Sequence, residues 1–308
     1  MKTLETGTMI ELYSHGKLLL TGEYAVLDGA KALAAPTKFG QYLRYKRASG
    51  PKVEWKSLDH RGHVWFEAIF DLGNFKIVSS SKADMAKVLQ TILIEAKKLN
   101  MDFLVDGGFE VETELTFPND WGLGSSSTLI NNIATWAKVD AHQLLQNTFG
   151  GSGYDIACAK AESAIVYQLV EGNPTTKEVG LDFPFSDMLF FVHLNQKQNS
   201  REAIASYRTQ KIDKHTLCKE VSRITEAILG VDSLQDFEGL LAEHEALLSK
   251  VLKMPPVKTR LFPDYFGEIK SLGAWGGDFV LATGNEKTPE YFVSKGFETV
   301  ITYKGMVR

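Results

Sequence analysis

Paired cysteines, a surplus of positive charge and long apolar runs are all missing from this 308-residue chain, and each absence removes a class of explanation. Cys158 and Cys218 lie far apart and form no CxxC pair. Neither a disulfide framework nor a thiolate zinc site is therefore expected, and a reducing compartment fits. The net charge of -4 supplies no basic field for nucleic acid or an anionic membrane surface, which leaves a small anionic ligand held by local groups. The stretch MKTLETGTMIELYSHGKLLLTGEYAVLDG has polar or charged residues every few positions and no apolar run of signal-peptide or membrane-span length. The expectation is a cytoplasmic protein. The histidines show no metal spacing beyond the near pair His60 and His63, which reads as part of a polar turn.

What is present suffices for a large core: 44% of residues are hydrophobic, enough for two compact units. Short, often alternating apolar runs from Ile10 to Leu20 and in QYLRYKR and VEWKSL read as strands. In SSSKADMAKVLQTILIEAKKLN, Met85, Val88, Leu89, Ile92 and Ala96 recur at helical spacing and predict an amphipathic helix ending near Asn100. GGFEVETELTFP alternates Phe109, Val111, Thr113, Leu115 and Phe117 on one strand face. Leu129, Ile133 and Trp136 predict a helix from Ser127 to Val139. SAIVYQLV and DMLFFVHL read as buried strands, and DFEGLLAEHEALLSKVL as a helix. The polar, Pro- and Gly-containing stretch from Glu171 to Ser186 places a boundary between domains 1–180 and 181–308.

Four stretches carry chemistry. In PNDWGLGSSS, Gly122 and Gly124 remove side chains where backbone would approach a ligand, and the helix that follows offers unpaired N–H groups and a positive dipole end. Ser125, Ser126 and Ser127 add hydroxyls able to cap the helix, bond phosphate oxygens or touch a metal. On this motif alone a phosphate cradle and an ordinary serine-capped helix stand about even; it is not a Walker A sequence, since no Gly-Lys-Ser/Thr follows. SHGKLLLTGEYAVLDG places Lys17 at the start of an apolar strand and Glu23 after a glycine turn, an unusual position for charges in a segment that only packs. GGSGYDIACAKAESAIVY places Asp155 at a helix start, where it either caps that helix or accepts a proton from a substrate hydroxyl. SLGAWGGDFVLATG sets four glycines and one aspartate between a helix and a strand, either a tight turn or a close approach to a ligand.

Lysine, glycine–serine loop and buried aspartate are together what phosphoryl transfer requires: charge neutralisation, a phosphate cradle and a group for the acceptor hydroxyl. In this order, from residue 14 to 284, the four stretches resemble the signature motifs and aspartate loop of the GHMP small-molecule kinases. HGKLLLTGEYAVLDG, GSGYDIA and GAWGGDF are most similar to the phosphomevalonate kinases within that superfamily. The resemblance implies an α+β fold, with an N-terminal domain like ribosomal protein S5 domain 2 that binds nucleotide and a ferredoxin-like C-terminal domain. It also implies ATP and Mg2+, an acceptor that is phosphorylated or carboxylated, and a homodimer as the oligomer to consider.

By that likeness Lys17 contacts the transferring phosphate and Asp155 serves near the acceptor group. Gly122, Leu123, Gly124, Ser125, Ser126 and Ser127 bind the nucleotide phosphates, Ser126 also the metal. Glu23, Ser152, Gly153, Gly276 and Gly277 lie on the substrate side, with Lys197 and Arg201 of the basic stretch NQKQNSREAIASYR. Two departures stand out: His15 where the family has a small residue or proline, and Trp275 in place of a glycine. Mevalonate kinases carry a metal-binding glutamate before the aspartate, and no acidic residue lies between Asp140 and Asp155. The function implied is phosphorylation of phosphomevalonate. Mevalonate kinase and a non-catalytic ligand-binding relative are the alternatives, with the decarboxylase of the superfamily ranked behind them because its aspartate loop differs from GSGYD.

Overall fold

The computed structural model describes residues 7–105, 107–197 and 200–308, except the side chains of residues 200 and 201. The chain forms two compact units, each assembled from separate pieces of sequence: residues 1–16, 39–119 and 124–160 in the first, 17–38, 120–123 and 161–308 in the second. Strands β1 (Ile10–Thr21) and β2 (Ala32–Ala48) each contribute residues to both units, so a single cut at residue 180 does not separate them.

In the first unit, β2 is followed by β3 (Lys52–Leu58), β4 (Val64–Asp71), β5 (Ile77–Ser80), helix α1 (Ala83–Leu99) and β6 (Gly108–Leu115). The strand order is β5-β4-β3-β6-β2, with β1 paired to β2; β3 and β6 run parallel and the other neighbours in that order antiparallel. Alternation in β6 buries Phe109, Val111, Thr113 and Leu115, and Phe117 just beyond it, as the period-two pattern requires. Helices α2 (Ser125–Ala137), α3 (Ala141–Thr148) and α4 (Tyr154–Ala159) complete the unit. The core joins Leu43, Trp55 and Phe70 of the sheet to Leu89, Ile92 and Leu93 of α1 and Ile130 and Ile133 of α2. Met85 and Val88 are exposed, contrary to the expected stripe, because the buried face of α1 runs through Ala86, Leu89, Leu93 and Ala96 instead.

In the second unit the first residues of β2 pair antiparallel with β7 (Ala164–Val170), which pairs with β8 (Asn173–Val179). A separate antiparallel sheet has the order β10-β11-β9-β12, formed by β9 (Leu189–His193), β10 (Ile269–Ser271), β11 (Phe279–Thr283) and β12 (Val300–Thr302). Its helices are α5 (Ser200–Arg208), α6 (Lys214–Ile228), α7 (Leu234–Leu252), α8 (Val257–Leu261), α9 (Thr288–Ser294) and α10 (Tyr303–Met306). All five residues of β9 and of β11 are buried. The glycine-rich stretch from Ser271 to Phe279 thus connects two adjacent strands, correcting the expectation of a helix before it. No helix among the described residues is long and apolar enough to cross a membrane.

Candidate active site

Lys17 lies inside β1 rather than at its start, half-buried between inward-facing neighbours. Its backbone N–H donates to the Leu123 carbonyl at 2.9 Å, and its Nζ donates to the Gly122 carbonyl at 3.1 Å. Residues far apart in sequence are thereby joined: the lysine of one motif is fixed on the glycine loop of another. Gly122 has φ 66°, and a Cβ there would come within 2.3–2.5 Å of the Asp278 carboxylate. Only a residue without a side chain fits beneath that carboxylate. Lys17, Trp121, Gly122, Gly273, Asp278 and Phe279 line one small cavity, and the Trp121 ring meets Phe279 edge-on at 5.4 Å.

Asp278 was absent from the expected site. Its backbone is left-handed, φ 53°, and bonded on both sides to the segment after β9: its N–H donates to Gln196 at 2.6 Å and its carbonyl accepts from Leu194 at 2.8 Å. The sequence signal was the single acid in a glycine-rich loop, but its partner Gly122 lies about half the chain away. Gly276 and Gly277 of the same loop are buried. Trp275 is 2% exposed at φ 45°, and its Nε1 has no hydrogen-bond partner. The ring packs in a cluster with Tyr24, Tyr207 and Val221.

Glu23 is placed differently from a ligand contact. The turn after β1 directs its side chain inward, where the carboxylate is fully enclosed and Oε1 accepts from Lys270 Nζ at 2.5 Å. His244 of α7 stands 3.4 Å from the other oxygen and accepts the Gly22 N–H through Nε2. Glu245 accepts from the Ser271 N–H at 3.1 Å and lies 3.9 Å from Lys270. Burial raises the Glu23 pKa and Lys270 counteracts it. Burial also pushes Glu245 up to about 8 against the pull of Lys270, and holds the His244 imidazole well below its ordinary range. One carboxylate and one ammonium balance when Glu245 keeps its proton, so the cluster ties the Gly22–Glu23 turn to β10 and α7 without net charge. Lys197 is exposed, and the Arg201 side chain lies outside the described residues.

In the first unit, α2 begins two residues earlier than its periodicity suggested. Gly124 occupies the N-cap in the left-handed region, φ 90°, and no side chain caps the helix. The serine-capped alternative does not hold: Ser127 is 3% exposed and its hydroxyl donates back to the Gly124 carbonyl at 2.8 Å. Ser125 is half-buried and Ser126 exposed at the first turn. A helix that starts on glycine without a side-chain cap leaves its leading N–H groups for an external acceptor.

The position of that helix is set by polar groups as well as by its apolar face. Asn131 donates to Ser14 Oγ at 2.9 Å, and Ser14 Oγ donates to Asn132 Oδ1 at 2.7 Å. Asn132 donates to the Gln41 carbonyl at 3.0 Å, and Thr128 to Gln41 Oε1 at 2.8 Å. These five side chains are buried, so their hydrogen bonds fix α2 rotationally against β1 and β2 within this unit.

Gly153 is the left-handed N-cap of α4, φ 84°; Ser152 is buried before it, and Asp155 stands half-buried in the first turn. Asp155 Oδ1 accepts from the Ile156 N–H at 3.0 Å. His142 of α3 is nearby: burial and then Lys160 lower its pKa, while Asp140, Asp155 and a hydrogen bond with the Gly153 backbone act the other way. Among the described residues, no three histidine, cysteine or acidic side chains converge in a way that would hold a metal.

The two-unit α+β fold is similar to that of solved GHMP small-molecule kinases. The mevalonate kinase of Methanococcus jannaschii superposes with a TM-score of 0.68 at 17% identity, over 95% of this chain and 95% of that one. The galactokinase of Lactococcus lactis, solved with galactose, gives 0.71 at 14% identity, over 94% and 89%. The phosphomevalonate kinase of Streptococcus pneumoniae, solved with phosphomevalonate and AMPPNP, gives 0.65 at 15% identity, over 95% and 99%. No protein-family model and no curated protein sequence matches the chain.

Proposed function

We propose that this chain is an ATP-dependent small-molecule kinase and that phosphomevalonate is its acceptor. The observation that carries the reading is the anchoring of Lys17 Nζ on the Gly122 carbonyl, two residues before the chain enters the uncapped N-terminus of α2. Lys17 supplies a cation on the Gly122–Leu123 segment, and α2 in the other unit opens on N–H groups without a side-chain cap. Each feature taken by itself suits an anionic phosphate group.

ATP supplies the phosphoryl group. Gly122, Leu123 and Gly124 are the loop residues assigned to the nucleotide phosphates, the first-turn N–H groups of Ser125, Ser126 and Ser127 bind phosphate oxygens, and Lys17 neutralises charge on the transferring group. Ser126, exposed at the helix start, is the hydroxyl that would hold a magnesium ion, which would offset phosphate charge there. Asp155 orients the acceptor. For an acceptor that is already a phosphate, the attacking oxygen is largely ionised near neutral pH, so charge balance and orientation are required of Asp155 more than proton removal. Ser152, Gly153, Gly276 and Gly277 belong to the acceptor side, with Lys197 and Arg201 as partners for an acidic group. Glu23 is assigned to the Lys270 ion pair instead.

The phosphomevalonate assignment rests on the likeness of GEYA, GSGYD and GAWGGD to phosphomevalonate kinase motifs and on the missing acidic residue before Asp155, which disfavours mevalonate. Trp275 supports a second reading, a ligand-binding relative without turnover, because its ring fills a loop position occupied by glycine in the family. A coupled ADP-release assay over mevalonate, phosphomevalonate, homoserine and a sugar panel separates these. Turnover with phosphomevalonate alone is expected; tight ATP binding without turnover on any acceptor would replace the kinase by the binding protein.

A further inference from the structure

We propose that Asp278 is the positioning residue of Lys17, a carboxylate seated on the Gly122 α-carbon that stations the ammonium in the cavity they share. The inference rests on the kinase reading for its catalytic meaning, but its geometry does not. Lys17 and Asp278 line the same cavity, and each is fixed against Gly122 from a different side: the lysine through the carbonyl at 3.1 Å, the carboxylate against the α-carbon.

The carboxylate cannot drift away easily. Asp278 is held in a left-handed conformation, uncommon for a residue with a side chain, by backbone bonds to Gln196 and Leu194 on either side. A conformation that costs energy and is secured twice, in a loop where glycine would adopt it freely, indicates that the side chain is required there. Other ionisable groups on the surrounding segments include the buried His15 of β1, Lys270 of β10 in its pair with Glu23, the exposed Asp120 and Lys197, and His193, whose Nε2 is bonded with the Asp120 carbonyl at 3.2 Å. Asp278 is therefore the acid in the cavity lining with Lys17.

A negative charge in the same cavity lining as the lysine favours the lysine's charged form. The same charge would repel a phosphate if it stood alone, so the pair acts as a unit: the lysine presents its charge from one place instead of sweeping the cavity. The expected signature is a change in turnover greater than any change in nucleotide affinity.

The test uses Asp278→Asn in the full chain, with two readouts. Competitive amine labelling of Lys17, quantified by mass spectrometry across pH 8 to 11, reports its titration without any need for activity. Its midpoint should fall by about one pH unit in the variant, a roughly tenfold rise in reactivity below the midpoint. Gly122→Ala, whose methyl would displace the carboxylate, should produce the same shift, and the double variant no further one. In the ADP-release assay, kcat should drop at least tenfold, the KM for ATP should change less than threefold, and Asp278→Glu should recover part of the loss. An unchanged Lys17 titration in a folded Asp278→Asn protein overturns the proposal, as does a loss confined to KM for ATP. If the labelling shift appears in a protein that turns over no acceptor, the kinase reading fails while the Lys17–Asp278 coupling stands.

Discussion

Raising the pH should destabilise this protein through one buried carboxylate, Glu245. Its side chain is 3% exposed, and its partners are Ser271 and, at 3.9 Å, a Lys270 ammonium already committed to Glu23. Folding raises its pKa from 4.5 to about 8. The folded state therefore holds a proton that the unfolded state releases, so the contribution to stability is complete below about pH 4.5 and lost progressively as pH rises to about 8. The limiting slope is about 1.4 kcal/mol per pH unit, and the accumulated loss on the order of 2 to 5 kcal/mol. That is a sizeable part of the roughly 5–15 kcal/mol that holds a domain together. Urea denaturation at pH 5, 6, 7, 8 and 9 measures it. Glu245→Gln keeps an oxygen to accept the Ser271 N–H and cannot ionise, so its stability should decline more gently over the same range. Subtracting the two curves cancels the repulsion among surface charges. Parallel curves for the two proteins between pH 5 and 8 would show that Glu245 is ionised in the folded state and that the charge balance assigned to the cluster is wrong.

Lys17→Met should slow phosphoryl transfer on the order of 10²-fold or more, a few kcal/mol of transition-state stabilisation; wild-type kinetics in the ADP-release assay would remove the lysine from the chemistry. Asp155→Asn retains an oxygen for the Ile156 N–H, so its melting temperature should stay close to wild type while turnover collapses, and an unchanged rate would exclude Asp155 from the mechanism. Trp275→Phe removes a buried indole N–H that has no partner, offsetting the packing it loses. Its stability should lie within about 1 kcal/mol of wild type by urea titration, whereas a loss above about 3 kcal/mol would mean that the N–H is satisfied in solution.

Local patterns in the sequence were enough for the elements that carry the site. Period-two alternation located β6 and the faces of its side chains, helical spacing located α1, α2 and α7, and glycine next to serine marked the start of a helix without a side-chain cap. Each is a short-range property, written in neighbours within a few residues. The tertiary structure alone decided which of these meet. Lys17 and Asp278 converge on Gly122 from more than one hundred residues away on either side, and no periodicity encodes that encounter. The hold on α2 by Ser14 and Gln41 was equally invisible, because polar residues in a helix read as a solvent face until a strand supplies their partners. Glu23 shows the difference most clearly. In sequence it was a charge beside a glycine turn, available to a ligand; in the folded chain a lysine from β10 reaches it in the interior. An isolated charge there would be too costly to bury, so the distant partner determines what the residue does.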